Sequence, residues 1–194
     1  MSKSVPVCAL IIGLGLVPAC SGSGENTLTG PSAAELNTPM TQTAKPSAAG
    51  DDGREIRMQD ECDPTSFNAA IGAGTCARKG GLKFDTFIAL LQQQAQVSSW
   101  RFSPGSIHVP REMTLSIVNA GGETHTFTEV EDFGGGVVPF LNTLAGTPVP
   151  APECLALAGS DFIPAGGKTT HTFEPGESDK YQCCIHPWMR ATTH

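Results

Sequence analysis

Between Lys180 and Arg190 the chain reads Lys-Tyr-Gln-Cys-Cys-Ile-His-Pro-Trp-Met-Arg, setting a thiol at Cys183, an imidazole at His186 and a thioether at Met189, three residues apart in turn. A mononuclear copper electron-transfer site takes two His and one Cys in a near-trigonal plane with a long, weak axial Met. Three of those ligands can come from this one loop, so a second histidine must arrive from elsewhere. Of the five histidines in the chain, His125 is the best placed. It follows an alternating segment, Met113 to Val118, and the Gly121-Gly122 turn, and it opens a second alternating run, Thr126 to Val130. A ligand at a strand end is held by the sheet rather than by the metal, so the site is expected to be largely preformed. His171 and His194 are the alternatives to His125, and His108 reads as an ordinary strand residue.

Tyr181, Cys183, His186, Pro187, Trp188 and Met189, taken with Asn119 and His125, resemble the copper loop and upstream ligand of the cupredoxins, the short-loop amicyanin-like and plastocyanin-like members above all. The resemblance covers residues 99–194. It implies an all-β, Greek-key β-sandwich with one copper ion cycling between Cu(I) and Cu(II). The implied ligands are His125, Cys183, His186 and Met189, and the implied electron port is His186 with Pro187 and Trp188. Many cupredoxins carry Asn directly after the first ligand His, where it braces the Cys loop. Here Thr126 stands in that place, so its hydroxyl is expected to substitute in part, with Asn119 as the other bracing residue. Glu129 and Glu131, close after His125, add a lesser option of carboxylate coordination. The bland alternative is a sandwich that has lost its metal, leaving Cys183 as a small buried hydrophobe.

The doubled cysteine is resolved by spacing. Cys183 gives Cys-x-x-His-x-x-Met, whereas Cys184 gives a Cys-x-His too tight for such a loop. Successive strand residues face opposite ways, so Cys184 points away if Cys183 faces the metal. The chain has seven cysteines. With Cys8 and Cys20 in the targeting region and Cys183 at the metal, Cys62, Cys76, Cys154 and Cys184 remain. Outside the cytosol these suggest two disulfides, for which three connectivities exist. Proximity pairs Cys62 with Cys76, a closure of about 3 kcal/mol, and leaves Cys154 with Cys184, which would tie the 131–160 loop to the Cys strand. Free buried thiols at Cys154 and Cys184 are the alternative.

Residues 1–19 read as a secretory signal: Lys3 is the lone charge before an apolar run, Val5 to Val17, too short to span a bilayer. Val17-Pro18-Ala19-Cys20 resembles a bacterial lipobox, which makes Cys20 the lipidated N-terminus of an exported protein facing the periplasm or cell exterior, while ordinary cleavage near Ala19 would leave a free thiol. Residues 20–61, rich in Ser, Thr, Gly, Pro and Ala, read as a flexible tether. Residues 62–98 form a helical, disulfide-bearing extension, in which Phe84, Phe87, Ile88, Leu91 and Ala95 fall at helical spacing. Strands are expected over Ser99 to Phe102, Ser106 to Val109, Met113 to Val118, Thr124 to Val130, Thr169 to Phe173 and Lys180 to Cys183, with a short closing strand after Met189. Residues 132–160 are too irregular to assign.

The formal charge of the chain is −7, and Lys3 adds +1 to the signal, leaving −8 on the remainder. An acidic surface argues against nucleic acid and suits a basic redox partner. No phosphate loop, basic cluster or small-molecule substrate motif is visible, and a monomer is expected. The reading is a lipid-anchored electron carrier rather than an enzyme, with an envelope copper-binding or copper-delivery protein as the alternative. A copper oxidase or reductase fits poorly, because the His-x-His and His-Cys-His patterns that link such a site to other copper centres are missing. A Cys20→Ser chain is expected to move from the membrane fraction to the soluble fraction on cell fractionation; its retention with membranes would remove the lipid anchor.

Overall fold

The computed structural model describes residues 55–194 apart from Lys79 and Glu177. The signal, the Cys8 and Cys20 assignments and the tether up to residue 54 lie outside the described residues. The organising strand is β4 (Met113–Asn119), whose alternation buries Leu115, Ile117 and Asn119 on one face. Beside it run β1 (Glu55–Gln59), parallel, and β6 (Lys168–Phe173), antiparallel. With β2 (Arg101–Ser103) on the far side of β1, the first sheet has the order β2-β1-β4-β6. The second sheet is built from β3 (Ser106–Ile107), β5 (Thr128–Val130), β7 (Lys180–Gln182) and β8 (Arg190–Thr193), in the order β3-β8-β7-β5. Both sheets are mixed, through the parallel pairs β1 with β4 and β3 with β8. Their apolar residues meet in one core that includes Ile56, Met58, Phe102, Leu115, Ile117, Phe173 and Tyr181.

Composition assigns residues 20–61 to the tether, and here the structure moves a boundary. Glu55–Gln59 is a strand inside the first sheet, with Ile56 and Met58 both fully buried. Ile56 lies opposite Ile117, and Met58 opposite Phe102 and Asn119. The cause is a two-residue apolar alternation too short to stand out from a Ser/Gly/Pro-rich background, yet sufficient once β2 and β4 supply ladders on both edges.

The extension folds as two helices, α1 (Pro64–Ala70) and α2 (Phe84–Gln94). Asp63 caps α1 by accepting the Ser66 N–H at 2.8 Å, as an acceptor side chain at a helix start should. The expected helix over 84–95 is present, with Phe87 and Leu91 on its buried stripe, and it stops at Ala95, which takes a left-handed φ of 57°. Phe67 of α1, Phe87 of α2 and Trp100 form one aromatic cluster, with ring centroids 4.8 to 5.8 Å apart. The extension is therefore part of the domain core. In the unassigned region, α3 (Pro139–Leu144) and α4 (Pro152–Leu155) each begin on a proline, whose fixed φ suits a first helical turn. Among the described residues no helix is long and apolar enough to cross a membrane.

The run from Thr124 to Val130 is shorter as a strand than its alternation suggests. Ladder pairing covers Thr128 to Val130, while His125 makes a single antiparallel bridge to Ile163. Thr126 turns its backbone N–H and hydroxyl toward the Cys183-Cys184 segment instead of a neighbouring ladder. Replacement Ile56→Ala, in the strand that composition hides, is expected to lower unfolding free energy by about 2–5 kcal/mol in denaturant titration; a change below ~0.5 kcal/mol would place Ile56 outside the core.

Candidate metal centre

Three side chains from two distant segments converge in the interior. His125 precedes β5; Cys183 and His186 follow β7, in the loop leading to β8. Cys183 is fully buried and is the free cysteine among the described residues. Its Sγ lies 3.7 Å from Nδ1 of His125 and 3.7 Å from Nδ1 of His186. The three ligand atoms lie within 4.8 Å of one another, and His125 and His186 are 0% and 2% exposed. Bonds of about 2.0 Å to nitrogen and 2.3 Å to sulfur, typical for such ligands, separate N and S by roughly 3.7 Å when they subtend a trigonal ~120°. The donor set and spacing thus fit a metal ion bound in a near-trigonal plane. His171 and His194, the alternatives to His125, lie elsewhere: His171 contacts the Tyr181 hydroxyl at 3.0 Å and His194 stacks near His108.

Each imidazole is oriented from behind by a carboxylate. Nε2 of His125 lies 2.9 Å from Oδ2 of Asp60, and both side chains are buried. Nε2 of His186 faces Oε2 of Glu123 at 3.5 Å, and the same oxygen accepts the Trp100 indole N–H at 2.7 Å. A carboxylate on Nε2 fixes the tautomer that leaves the Nδ1 lone pair free for a metal and raises ligand basicity.

Asp60 in turn sits in a cradle of backbone. It accepts the Cys62, Gly122 and Glu123 N–H groups at 2.8 to 3.1 Å. A Cβ at Gly121 would strike the Asp60 carboxylate, and one at Gly122 would lie 2.6 Å from Cys62 Sγ. The Gly-Gly turn is therefore needed for close approach rather than for an unusual φ. Asn119 holds the same turn closed, donating to the Glu123 and Ile163 carbonyls at 2.7 and 2.8 Å and accepting the Gly121 N–H at 3.0 Å.

The Cys loop is pinned on its other side. The Thr126 N–H points at Cys183 Sγ at 3.4 Å, and its hydroxyl accepts the Cys184 N–H at 2.8 Å. The Cys183 N–H donates to the Met189 carbonyl at 3.0 Å and the Met189 N–H to the His186 carbonyl at 2.9 Å, closing the loop on itself. Met189 is fully buried. Cys184 faces the opposite way and is bonded to Cys154, in a small second core with Val130 and Ala151. Cys62 is bonded to Cys76.

Burial opposes ionisation of the Cys183 thiol, but hydrogen bonds from His125 and His186 outweigh it and hold its pKa well below the ordinary thiol value. Burial likewise opposes protonation of His186; contacts with Cys183 and Glu123 win and push its pKa up to about 10. His125 is raised against the same burial penalty by Asp60 and Cys183. Burial would raise Asp60, yet His125 and the Glu123 and Gly122 amides hold it far below the usual carboxylate range. These directions favour the thiolate form of Cys183 beside a protonated His186, and a thiolate is the form that ligates copper.

The residues implied as the electron port, His186, Pro187 and Trp188, pack beneath the extension. His186 and Pro187 are buried and Trp188 is half-buried, its indole N–H donating to the Val97 carbonyl at 3.2 Å. The extension covers this end of the sandwich, which a reading of residues 99–194 alone leaves open. Above His186 lies an apolar cavity of about 260 Å³ lined by Phe67, Phe84, Phe87, Phe140 and Ile185, with Glu123 and His186 at its floor. Glu129 and Glu131 are exposed and stand outside the ligand group. The carboxylates that matter, Asp60 and Glu123, went unassigned in the sequence. Glu123 carried no signal, since it sits in the bend before His125 yet partners the distant His186. Nor did Asp60, being 65 residues from its partner.

No protein-family model and no curated protein matches the sequence. Among solved structures, a purple cupredoxin from Nitrosopumilus maritimus is similar at 15% identity and a TM-score of 0.39, over 72% of this chain and 95% of that one. Amicyanin from Paracoccus versutus is similar at 17% identity and a TM-score of 0.30, over 48% and 70%. A mutant plastocyanin of fern is similar at 11% identity and a TM-score of 0.36, over 72% and 96%. The chain folds as two mixed sheets enclosing a His-Cys-His group able to hold one metal ion.

Thr126→Val keeps the shape of this residue but strips the acceptor from the buried Cys184 N–H. It is expected to cost about 1–3 kcal/mol in denaturant unfolding of the metal-free protein, and an unchanged midpoint would remove Thr126 as the brace of the Cys loop.

Proposed function

We propose that this protein is a one-electron carrier of the bacterial cell envelope, which would hold one copper ion through His125, Cys183 and His186, with Met189 as a weaker fourth ligand. The observation that carries the reading is a free, buried cysteine with two imidazole Nδ1 atoms at 3.7 Å from its sulfur. Bound there, copper supplies a Cu(I)/Cu(II) couple.

The chain's own residues do the rest. Asp60 and Glu123 lock the rings, and the Thr126 N–H partly neutralises the thiolate sulfur. The Cys154–Cys184 bridge anchors the back of the loop to α4. A cluster held this firmly before metal arrives changes little between oxidation states, which favours electron exchange. It also favours retention of the ion over delivery to an acceptor. With its ligands buried, the site would exchange electrons with a redox protein through the apolar face around the cavity, where Ile71 and Phe140 are more than half exposed. Its acidic charge suits a basic partner, and the N-terminal lipid on Cys20 would keep the domain at the membrane.

Loading the soluble domain with Cu(II) is expected to give an intense thiolate charge-transfer band. Cys183→Ser should abolish that band, while replacing Cys154 and Cys184 together by Ser should preserve it. The opposite pattern would overturn the ligand assignment, and complete loss of bound Cu(I) to a chelating acceptor within one redox cycle would favour copper delivery.

A further inference from the structure

The buried carboxylates Asp60 and Glu123 bring negative charge into the site that the ligand set does not require. Both lie behind the imidazoles, on Nε2, where a backbone carbonyl or a water would orient the rings equally well. Both are shielded from solvent, Asp60 at 1% side-chain exposure and Glu123 at 8%. Asp60 is held by amides and His125, Glu123 by the Trp100 indole and His186, so no Lys or Arg is among these partners and, once the imidazoles are neutral on a metal, none of them offsets the charge. Their charge is therefore left to act on whatever the imidazoles hold.

We propose that Asp60 and Glu123 are the residues that set which oxidation state of copper this site prefers, and that they favour Cu(II). The proposal rests on the copper reading above. With the Cys183 thiolate alone, the ligand cluster is a single positive charge around Cu(II) and neutral around Cu(I), so a dry interior favours the reduced form. Two further carboxylates make it a single negative charge around Cu(II) and a double one around Cu(I). Burial then penalises the reduced form, because the state with the larger net charge loses more on leaving water. Direct attraction acts in the same direction, since each carboxylate interacts with the extra charge of Cu(II) across one imidazole ring. The two effects together place the reduction potential below that of the same ligand set without the carboxylates.

Asp60 and Glu123 are positioning residues as well, so the test must separate charge from support. Glu123→Gln keeps an oxygen for the Trp100 N–H and His186 Nε2 and removes the charge. Asp60→Asn does the same less gently, since it turns an amide toward backbone donors. Both are measured in the copper-loaded domain by absorption and by redox titration, at low and high salt. We expect the charge-transfer band to persist in Glu123→Gln and the preference for Cu(II) over Cu(I) to fall by about ten- to a hundred-fold, the scale of one charge at interior screening. That is a rise in potential of roughly 60–120 mV for a one-electron couple, independent of salt because the charges are buried.

A retained band with an unchanged or lowered potential in Glu123→Gln overturns the proposal, as does a shift that vanishes at high salt. Asp60→Asn, if it folds, should shift the potential in the same direction; if it does not fold, Glu123→Gln decides alone. Absence of the band in the unsubstituted protein would instead sink the copper reading itself.

Discussion

A cysteine sulfur confined in a dry interior, and pushed toward its thiolate form, governs this structure. Cys183 has no solvent to stabilise its charge, and burial of an anion is tolerated only where partners compensate it. The His125 and His186 rings and the Thr126 amide supply that compensation, and each needs a support of its own. The chain of supports runs outward from the sulfur: imidazole to carboxylate, carboxylate to backbone amides or indole, and the amides to a turn that Asn119 ties shut. Removing any link leaves a buried polar group unsatisfied, so the network holds together as a unit.

This dependence explains features that look unrelated. The Gly-Gly turn exists because side chains there would occupy the space of Asp60 and of Cys62. Trp100 closes an aromatic cluster with Phe67 and Phe87 and at the same time donates to Glu123. The helical extension could have been an ornament on a sandwich. It instead supplies the wall over His186 and, through the residues just before it, the carboxylate behind His125.

How much of this was legible beforehand depended on distance along the chain. The loop from Cys183 to Met189 carries its ligand spacing in seven consecutive residues, and the His125 segment announces itself by alternation and a Gly-Gly turn. The doubled cysteine was separable by the loop spacing, and Cys184 does turn away, to Cys154, although both cysteines lie just past the end of β7. The helix over Phe84 to Gln94 was legible from its apolar period. β1 was not, since two apolar residues in five do not distinguish a strand from a tether. Nor did the short helices α3 and α4 have enough turns to show a period.

The sequence by itself determined the ligand types, their order and the local elements that carry them, because those depend on residues close together in the chain. Tertiary structure alone decided that β1 belongs inside the first sheet, that Asp60 and Glu123 stand behind the two imidazoles, and that helices cover the loop. Those outcomes depend on which surfaces meet when β4 gathers neighbours from both ends of the domain. A carboxylate 65 residues away in sequence becomes a partner at 2.9 Å only through that meeting, since charge and burial act through space.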